Sequence, residues 1–386
     1  MDEAQAAILA RCSPLDTETV PIEAAAGRVL GEAALAAVDL PPFPSSAMDG
    51  FALRAADVPG TLAVAGRIAA GSPAGRALAV GEAMEISTGG VVPEGADAVA
   101  PVEVVTDNGD TVDVADAIAP GAHVRPRGGD VHAGDVVVPA GARLGATQLG
   151  AIAAAGIPAV VCARRPRVAV LATGSELVRP GTALGPGQVY EANALMLATA
   201  LAAAGAEVEC LAAVADDEDA HRDAIARGLG ADVLVTSGGV SVGPHDLVRA
   251  IESELGVEEV FWQVAVKPGK PVAFGTRGRT LVFGLPGNPV SSLVGCELFV
   301  KPALRALQGL AESLPCFEHG RLASPLQRNP ARDELVRARA IEGALEPLAG
   351  QESHMIARAA GANALVHVPR GEGMLDAGAD VRWLRL

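Results

Sequence analysis

Arg167-Val168-Ala169-Val170-Leu171-Ala172-Thr173-Gly174-Ser175-Glu176 is the stretch whose reading decides the fold. Residues 168–172 form an apolar run that reads as a buried strand, and Thr-Gly-Ser then breaks it. The chain beyond Glu176 alternates in the same way. Helices are expected at 193–204, 218–229 and 245–255, and strands at 207–214 and 232–236. Further strands near 259–266 and 280–283 lead into a last helix from Pro289. Strands alternating with helices of this length predict parallel βαβ units and an open, doubly wound α/β sheet. In such sheets ligands bind at the carboxyl ends of the strands, so the loops there are the first candidates for a site.

Four loops fall at those ends. In Thr173-Gly174-Ser175-Glu176, a glycine between hydroxyl residues can offer backbone N–H groups to an anion, although a plain turn has the same composition. Asp216-Asp217-Glu218-Asp219 holds more acids than a helix cap requires. Ser237-Gly238-Gly239-Val240-Ser241-Val242-Gly243, with Asp246 beyond it, suits a phosphate cradle but lacks the lysine of a Walker loop. In Leu285-Pro286-Gly287-Asn288-Pro289, Asn288 as N-cap and Pro289 at the first helical position account for half the motif. The rest is a tight turn before free N–H groups that can face an anion. Lys267-Pro268-Gly269-Lys270-Pro271 adds two cations in a stiff frame, or else is an exposed turn.

Outside this segment the pattern changes. Up to about residue 40 the alanines and apolar residues fall at helix spacing until Pro41-Pro42. Between 41 and 139, short Val/Ala/Ile runs at 61–64, 98–105 and 111–114 are broken by Gly, Pro and Asp, which reads as a mainly β insert. Helix is expected again at 146–155. After Pro315, short strands at 335–340, 364–368 and 381–386 read as a small β domain. The expected division is 1–44 plus 140–165 as a discontinuous helical and linker domain, 45–139 as the β insert, 166–312 as the α/β domain and 313–386 as a C-terminal β-barrel-like domain.

A net charge of −16 makes a nucleic-acid backbone an improbable partner. The five cysteines are scattered without a C-x-x-C pair, so buried reduced thiols and a cytoplasmic setting are expected. The acidic start lacks a basic leader, and the most apolar stretch, 145–163, contains Gln148, Gly150, Gly156 and Pro158, so no membrane span is expected.

Taken in order, Ser46-Ala47-Met48-Asp49-Gly50, Thr173–Glu176, the paired Asp216-Asp217, Ser237–Gly243 with Asp246, Pro268-Gly269-Lys270-Pro271 and Leu285–Pro289 resemble the molybdopterin molybdenumtransferase family of MoeA and the gephyrin E domain. The resemblance runs over nearly the whole chain and loosens after 315, where Arg332 and Ser353 carry it. It implies a MogA-like molybdopterin-binding α/β domain and insertion of molybdate into adenylylated molybdopterin, with AMP released and Mg²⁺ assisting. Carried onto matching positions, it implies Asp49, Glu176, Asp216 and Asp246 as the catalytic acids, with Asp49, Glu176 and Asp246 on the metal.

The implied substrate contacts are Thr88, Arg125 and Asp130 in the insert, then Thr173, Gly174, Ser175, Ser237, Gly238, Gly239, Ser241 and Gly243. Lys267, Lys270, Pro286, Gly287, Asn288, Pro289 and Ser353 complete the set. The resemblance further implies a homodimer, with the site between the α/β domain of one subunit and the insert of the other. A molybdopterin adenylyltransferase and apo-molybdoenzymes are the implied protein partners. Gln263, Leu247 and Phe51 stand where family members often carry Lys, an aromatic residue and Tyr. Two alternatives share the loops: adenylylation of molybdopterin, by proteins lacking the insert and the C-terminal domain, and a non-catalytic scaffold. A dinucleotide-dependent oxidoreductase is excluded, because no G-x-G-x-x-G follows the first α/β strand.

Overall fold

The chain is seen in a computed structural model that describes residues 1–212, 218–239 and 247–386. The α/β unit contains strands β1 (Arg167–Ala172), β2 (Glu207–Cys210), β3 (Val233–Ser237), β4 (Glu258–Trp262), β5 (Ala273–Arg277) and β6 (Thr280–Leu285). Their order across the sheet is β2-β1-β3-β6-β5-β4. The first four are parallel, as the alternation predicts, but β5 runs antiparallel to both its neighbours, β6 and β4, so the sheet is mixed. The physical reason is local: only Gly278-Arg279 separates β5 from β6, too short for a crossover helix, so a hairpin forms.

Side chains alternate across this sheet. Val168, Val170 and Ala172 of β1 pack with Leu197 and Leu201 of helix α1 (Asn193–Ala203) on one face. Ala169 and Leu171 pack with Ile225 of helix α2 (Glu218–Gly228) and with Val248 and Ile251 of helix α3 (Leu247–Glu254) on the other. Helix α4 (Pro289–Gly295) continues through a π-helical turn, Cys296–Val300, into Lys301–Leu307. Pro302 has no N–H for the carbonyl of Leu298, and the buried amide of Gln5 donates to that oxygen instead at 3.0 Å. This fastens the N-terminal helix, Asp2–Leu9, to the α/β unit.

That helix stops far short of residue 40. Thr17–Pro21 is a strand, antiparallel to Ala159–Ala163, and the rest up to residue 40 is turns and short extended pieces. Helix propensity is a weak prior; Pro14, Gly27 and Gly31 interrupt it, and pairing with a strand far along the sequence overrides it. Residues from both sides of the insert, including Val20, Leu30, Ile152 and Cys162, share one core.

The insert is a six-stranded sheet built on Gly50–Leu53, Gly60–Ile68, Glu82–Ile86, Ala98–Pro101, Val105–Asp107 and Thr111–Val114. The expected run at 98–105 is split by a short 3₁₀ turn at Val102–Val104, and Asn108-Gly109 turns the hairpin after it. In the C-terminal region, strands β7 (Glu318–Leu322), β8 (Asp333–Ile341), β9 (Ala344–Pro347), β10 (Ala364–Val368) and β11 (Asp380–Arg385) close into a five-stranded barrel. The ring runs β8-β9-β7-β11-β10 and back to β8.

Among the described residues no helix is long and apolar enough to cross a membrane. All five cysteines are free; Cys162 and Cys296 are buried as expected, but Cys210 and Cys316 are exposed. Cys210 ends edge strand β2, and Cys316 lies in the irregular connection before β7, where neither is covered.

Candidate functional site

Three parallel strands end level with one another. Ala172 of β1 is opposite Ser237 of β3, and Ser237 is opposite Leu285 of β6, so the three loops after them start side by side. The Thr173 N–H donates to the Ser237 carbonyl and the Gly238 N–H to the Leu285 carbonyl, each at 3.0 Å. Gly238 therefore contributes no free N–H to a ligand. Its role is steric: with φ at +99°, a Cβ there would lie 2.6 Å from the Thr173 carbonyl oxygen. Gly174, with φ at +150°, leaves room for the Glu176 carboxylate, whose Oε2 would be 2.6 Å from a Cβ. Glu176 and Ser175 are exposed and Thr173 is buried.

Beneath these loops lies a buried polar knot. Asn193, the first residue of α1, donates its side-chain amide to Ser237 Oγ at 2.9 Å and to the Gly287 carbonyl at 2.7 Å. Ser237 Oγ is 3.2 Å from Ser292 Oγ, and the Ser292 hydroxyl also donates to the Pro286 carbonyl. One side-chain oxygen of the knot, Asn193 Oδ1, is buried with no partner. The sequence marks Asn193 only as a helix start, and Ser292 only as a position within the helix expected from Pro289. The available signal was a buried-side asparagine one residue inside the helix rather than at its cap, Ala192.

The barrel supplies a second wall. Asn288 occupies the N-cap position of α4, yet its side chain makes no cap; its Nδ2 donates to Ser353 Oγ at 2.9 Å. The Val290 N–H donates to the Ser353 carbonyl at 3.0 Å. Pro289 has no N–H, so the free helix start expected from the sequence is reduced at its first two positions. Lys267 and Lys270 are both exposed, but Lys267 Nζ pairs with Glu334 Oε1 at 2.9 Å. The two-residue strand Val266–Lys267 runs parallel to β8, which explains that pairing.

In the insert, Asp49 and Thr88 meet: the Thr88 N–H donates to Asp49 Oδ1 at 2.7 Å. Arg125 lies on the strand that pairs with the Ser45-Ser46 segment just before Asp49, opposite Ser45 as Val124 is opposite Ser46. All three side chains are exposed. Asp130 is exposed, and its N–H donates to the Leu40 carbonyl at 2.9 Å. Phe51 is part of the insert's buried core, where a tyrosine hydroxyl would need a partner. Gln263 holds a positive φ of 85° and donates its N–H to the Val272 carbonyl. Leu247 opens α3 and is half-buried.

Asp216, Ser241, Gly243 and Asp246 lie outside the described residues. Among the described residues no three His, Cys, Asp or Glu side chains gather into a metal-holding cluster. The sheet that Asp49 adjoins and the sheet that carries Glu176's loop are separate, with no strand pairing between them.

Three sequence-family models match the chain: "MoeA N-terminal region (domain I and II)" over residues 1–156, "Probable molybdopterin binding domain" over 169–306 and "MoeA C-terminal region (domain IV)" over 319–386. The chain is similar to a protein named molybdopterin molybdenumtransferase from Haemophilus influenzae, 40% identical over 80% of this chain and 78% of that one. It is also similar to molybdopterin molybdenumtransferase 2 of Mycobacterium tuberculosis, 38% identical over 98% of this chain and 96% of that one. Among solved structures, a molybdopterin biosynthesis moeA protein from Pyrococcus horikoshii matches with a TM-score of 0.88 and 28% identity, covering 100% of this chain and 99% of that one.

Proposed function

This chain belongs to the MoeA family of molybdopterin molybdenumtransferases, and from that premise we propose that it inserts molybdate into adenylylated molybdopterin, releasing AMP and leaving molybdenum cofactor. The observation that carries this reading is the level ending of β1, β3 and β6 beneath Ser353 of the barrel region, with Gly269, between Lys267 and Lys270, lying against Ser291 of α4.

In this reading the loops at Gly174 and Gly287 offer backbone N–H groups to the substrate's phosphates, and Gly238 keeps the floor clear. Lys270 faces the anion directly, and Lys267 does so by exchanging Glu334 for phosphate. Asp49, Glu176, Asp216 and Asp246 are the acidic set that positions molybdate or water. Carboxylates facing anionic substrates repel them unless a cation intervenes. Asp49 and Glu176 are exposed hard-oxygen donors and suit magnesium; with Asp246 they would hold Mg²⁺, which would supply charge neutralisation for phosphoanhydride cleavage.

The separate placement of Asp49 and Glu176 supports a homodimer in which one subunit's insert serves the other's α/β unit. A cytoplasmic setting suits the exposed thiols Cys210 and Cys316. A molybdopterin adenylyltransferase would supply the substrate and apo-molybdoenzymes would receive the product.

The test is a reconstitution from purified protein, adenylylated molybdopterin, molybdate and Mg²⁺. AMP released only with both molybdate and Mg²⁺, together with activation of an apo-molybdoenzyme, is the expected result. Binding of the adenylylated substrate without cleavage would overturn the reading.

A further inference from the structure

Arg337 lies in the middle of β8 and is 1% exposed. Among the described residues no carboxylate forms an ion pair with it; its guanidinium is satisfied by one loop. Nη1 donates to the Met355 carbonyl at 2.9 Å, and Nη2 to the carbonyls of Gly350 at 2.8 Å and Glu352 at 3.2 Å. Gln351 closes the ring: its Oε1 accepts the Arg337 backbone N–H at 3.0 Å, and its Nε2 donates to the Arg337 carbonyl at 2.9 Å. Burial pushes its pKa below the ordinary value, and the charge of Glu352, which forms no ion pair with it, offsets this only in part.

Among the described residues, Arg337 and Gln351 make the side-chain hydrogen bonds that tie this loop to β8. No side chain from 348 to 355 is buried, so apolar packing does not define its course. Yet its centre carries Ser353, whose hydroxyl accepts from Asn288 and whose carbonyl accepts from the Val290 N–H. A planar fork whose N–H groups point in fixed directions can mould several carbonyls at once, which a lysine cannot.

We propose that Arg337 is a positioning residue: it shapes the loop at 350–355 so that Ser353 stands against Asn288 and Val290 and completes the barrel-side wall of the site. This rests on the insertion reading, in which Ser353 is a substrate contact.

The test compares Arg337→Lys, Gln351→Ala, Ser353→Ala and the Arg337→Lys/Ser353→Ala double variant in the full protein, each checked for folding by thermal melt. The acidic set is untouched, so KM for an anionic substrate, molybdate or the adenylylated pterin, should rise roughly tenfold in Arg337→Lys while kcat stays within about twofold. The double variant should match Ser353→Ala alone, because both changes remove one contact. A folded Arg337→Lys with unchanged KM for both substrates, or effects that multiply in the double variant, overturns the proposal. If Arg337→Lys does not fold, Gln351→Ala carries the test: a raised KM supports it and an unchanged one overturns it. If the wild type itself shows no turnover, the insertion reading fails separately. Amide exchange at Val290 then decides, with faster exchange in the variants supporting the positioning role and unchanged exchange overturning it.

Discussion

The side-chain amide of Asn193 donates to the Ser237 hydroxyl at 2.9 Å, fastening the start of α1 to the end of β3. The same amide reaches the Gly287 carbonyl, so one buried residue ties together two of the three loops at the mouth of the sheet. Asn193→Ala would leave a buried hydroxyl and a carbonyl short of a donor. Stability in urea should fall by about 1–3 kcal/mol, and turnover should fall with it in protein that remains folded. Unchanged stability would show that the knot does not hold the loops.

Gly238→Ala places a methyl group 2.6 Å from the Thr173 carbonyl, at a φ of +99° that L side chains rarely adopt. The loop after β3 must then move away from the loop after β1. We expect binding of the adenylylated substrate to weaken by on the order of tenfold or more, with the melting temperature lowered by a few degrees at most. Isothermal titration beside a thermal melt separates the two effects.

Asp49→Asn keeps an oxygen for the Thr88 N–H but removes the charge. The melting temperature should therefore stay near that of the wild type. Single-turnover AMP release should drop on the order of 100-fold if the carboxylate acts in the chemistry. A wild-type rate in this variant removes Asp49 from the acidic set.

His367 gives stability a dependence on pH. Its Nδ1 accepts from Arg382 at 3.2 Å, which requires an unprotonated Nδ1, and its Nε2 is 3.6 Å from Asp333 Oδ1. Burial, and then the charge of Arg382, hold its pKa below the ordinary histidine value. As pH falls through about 6.5 the unfolded chain takes up this proton before the folded one, so stability is full above that pH and declines below it. Melting temperatures from about pH 7.5 down to about pH 5.5 should show this slope, and His367→Gln should flatten it. An identical slope in the variant would assign the pH dependence to other groups.

The α/β unit was legible because its signals are local. An apolar run at 168–172, a helix beginning at Asn193 and glycines at strand ends are each read within a few residues, and β1 and α1 fall within a residue of those expectations. The β insert was legible only as strand-rich text and the C-terminal region as a barrel-like β domain, since nothing local says which strands pair.

The motif loops and their chemical types were therefore set by the sequence on its own, through periodicity and the special backbone needs of glycine and proline. The tertiary structure alone decided that Thr17–Pro21 is a strand, that Lys267 pairs with Glu334, that Asn193 knots the loops and that Arg337 builds the loop around Ser353. The physical reason is common to all four. Each is a hydrogen-bonded or ionic contact between residues separated in sequence, fixed by where packed sheets and barrels bring polar groups together, and such contacts leave no period in the chain.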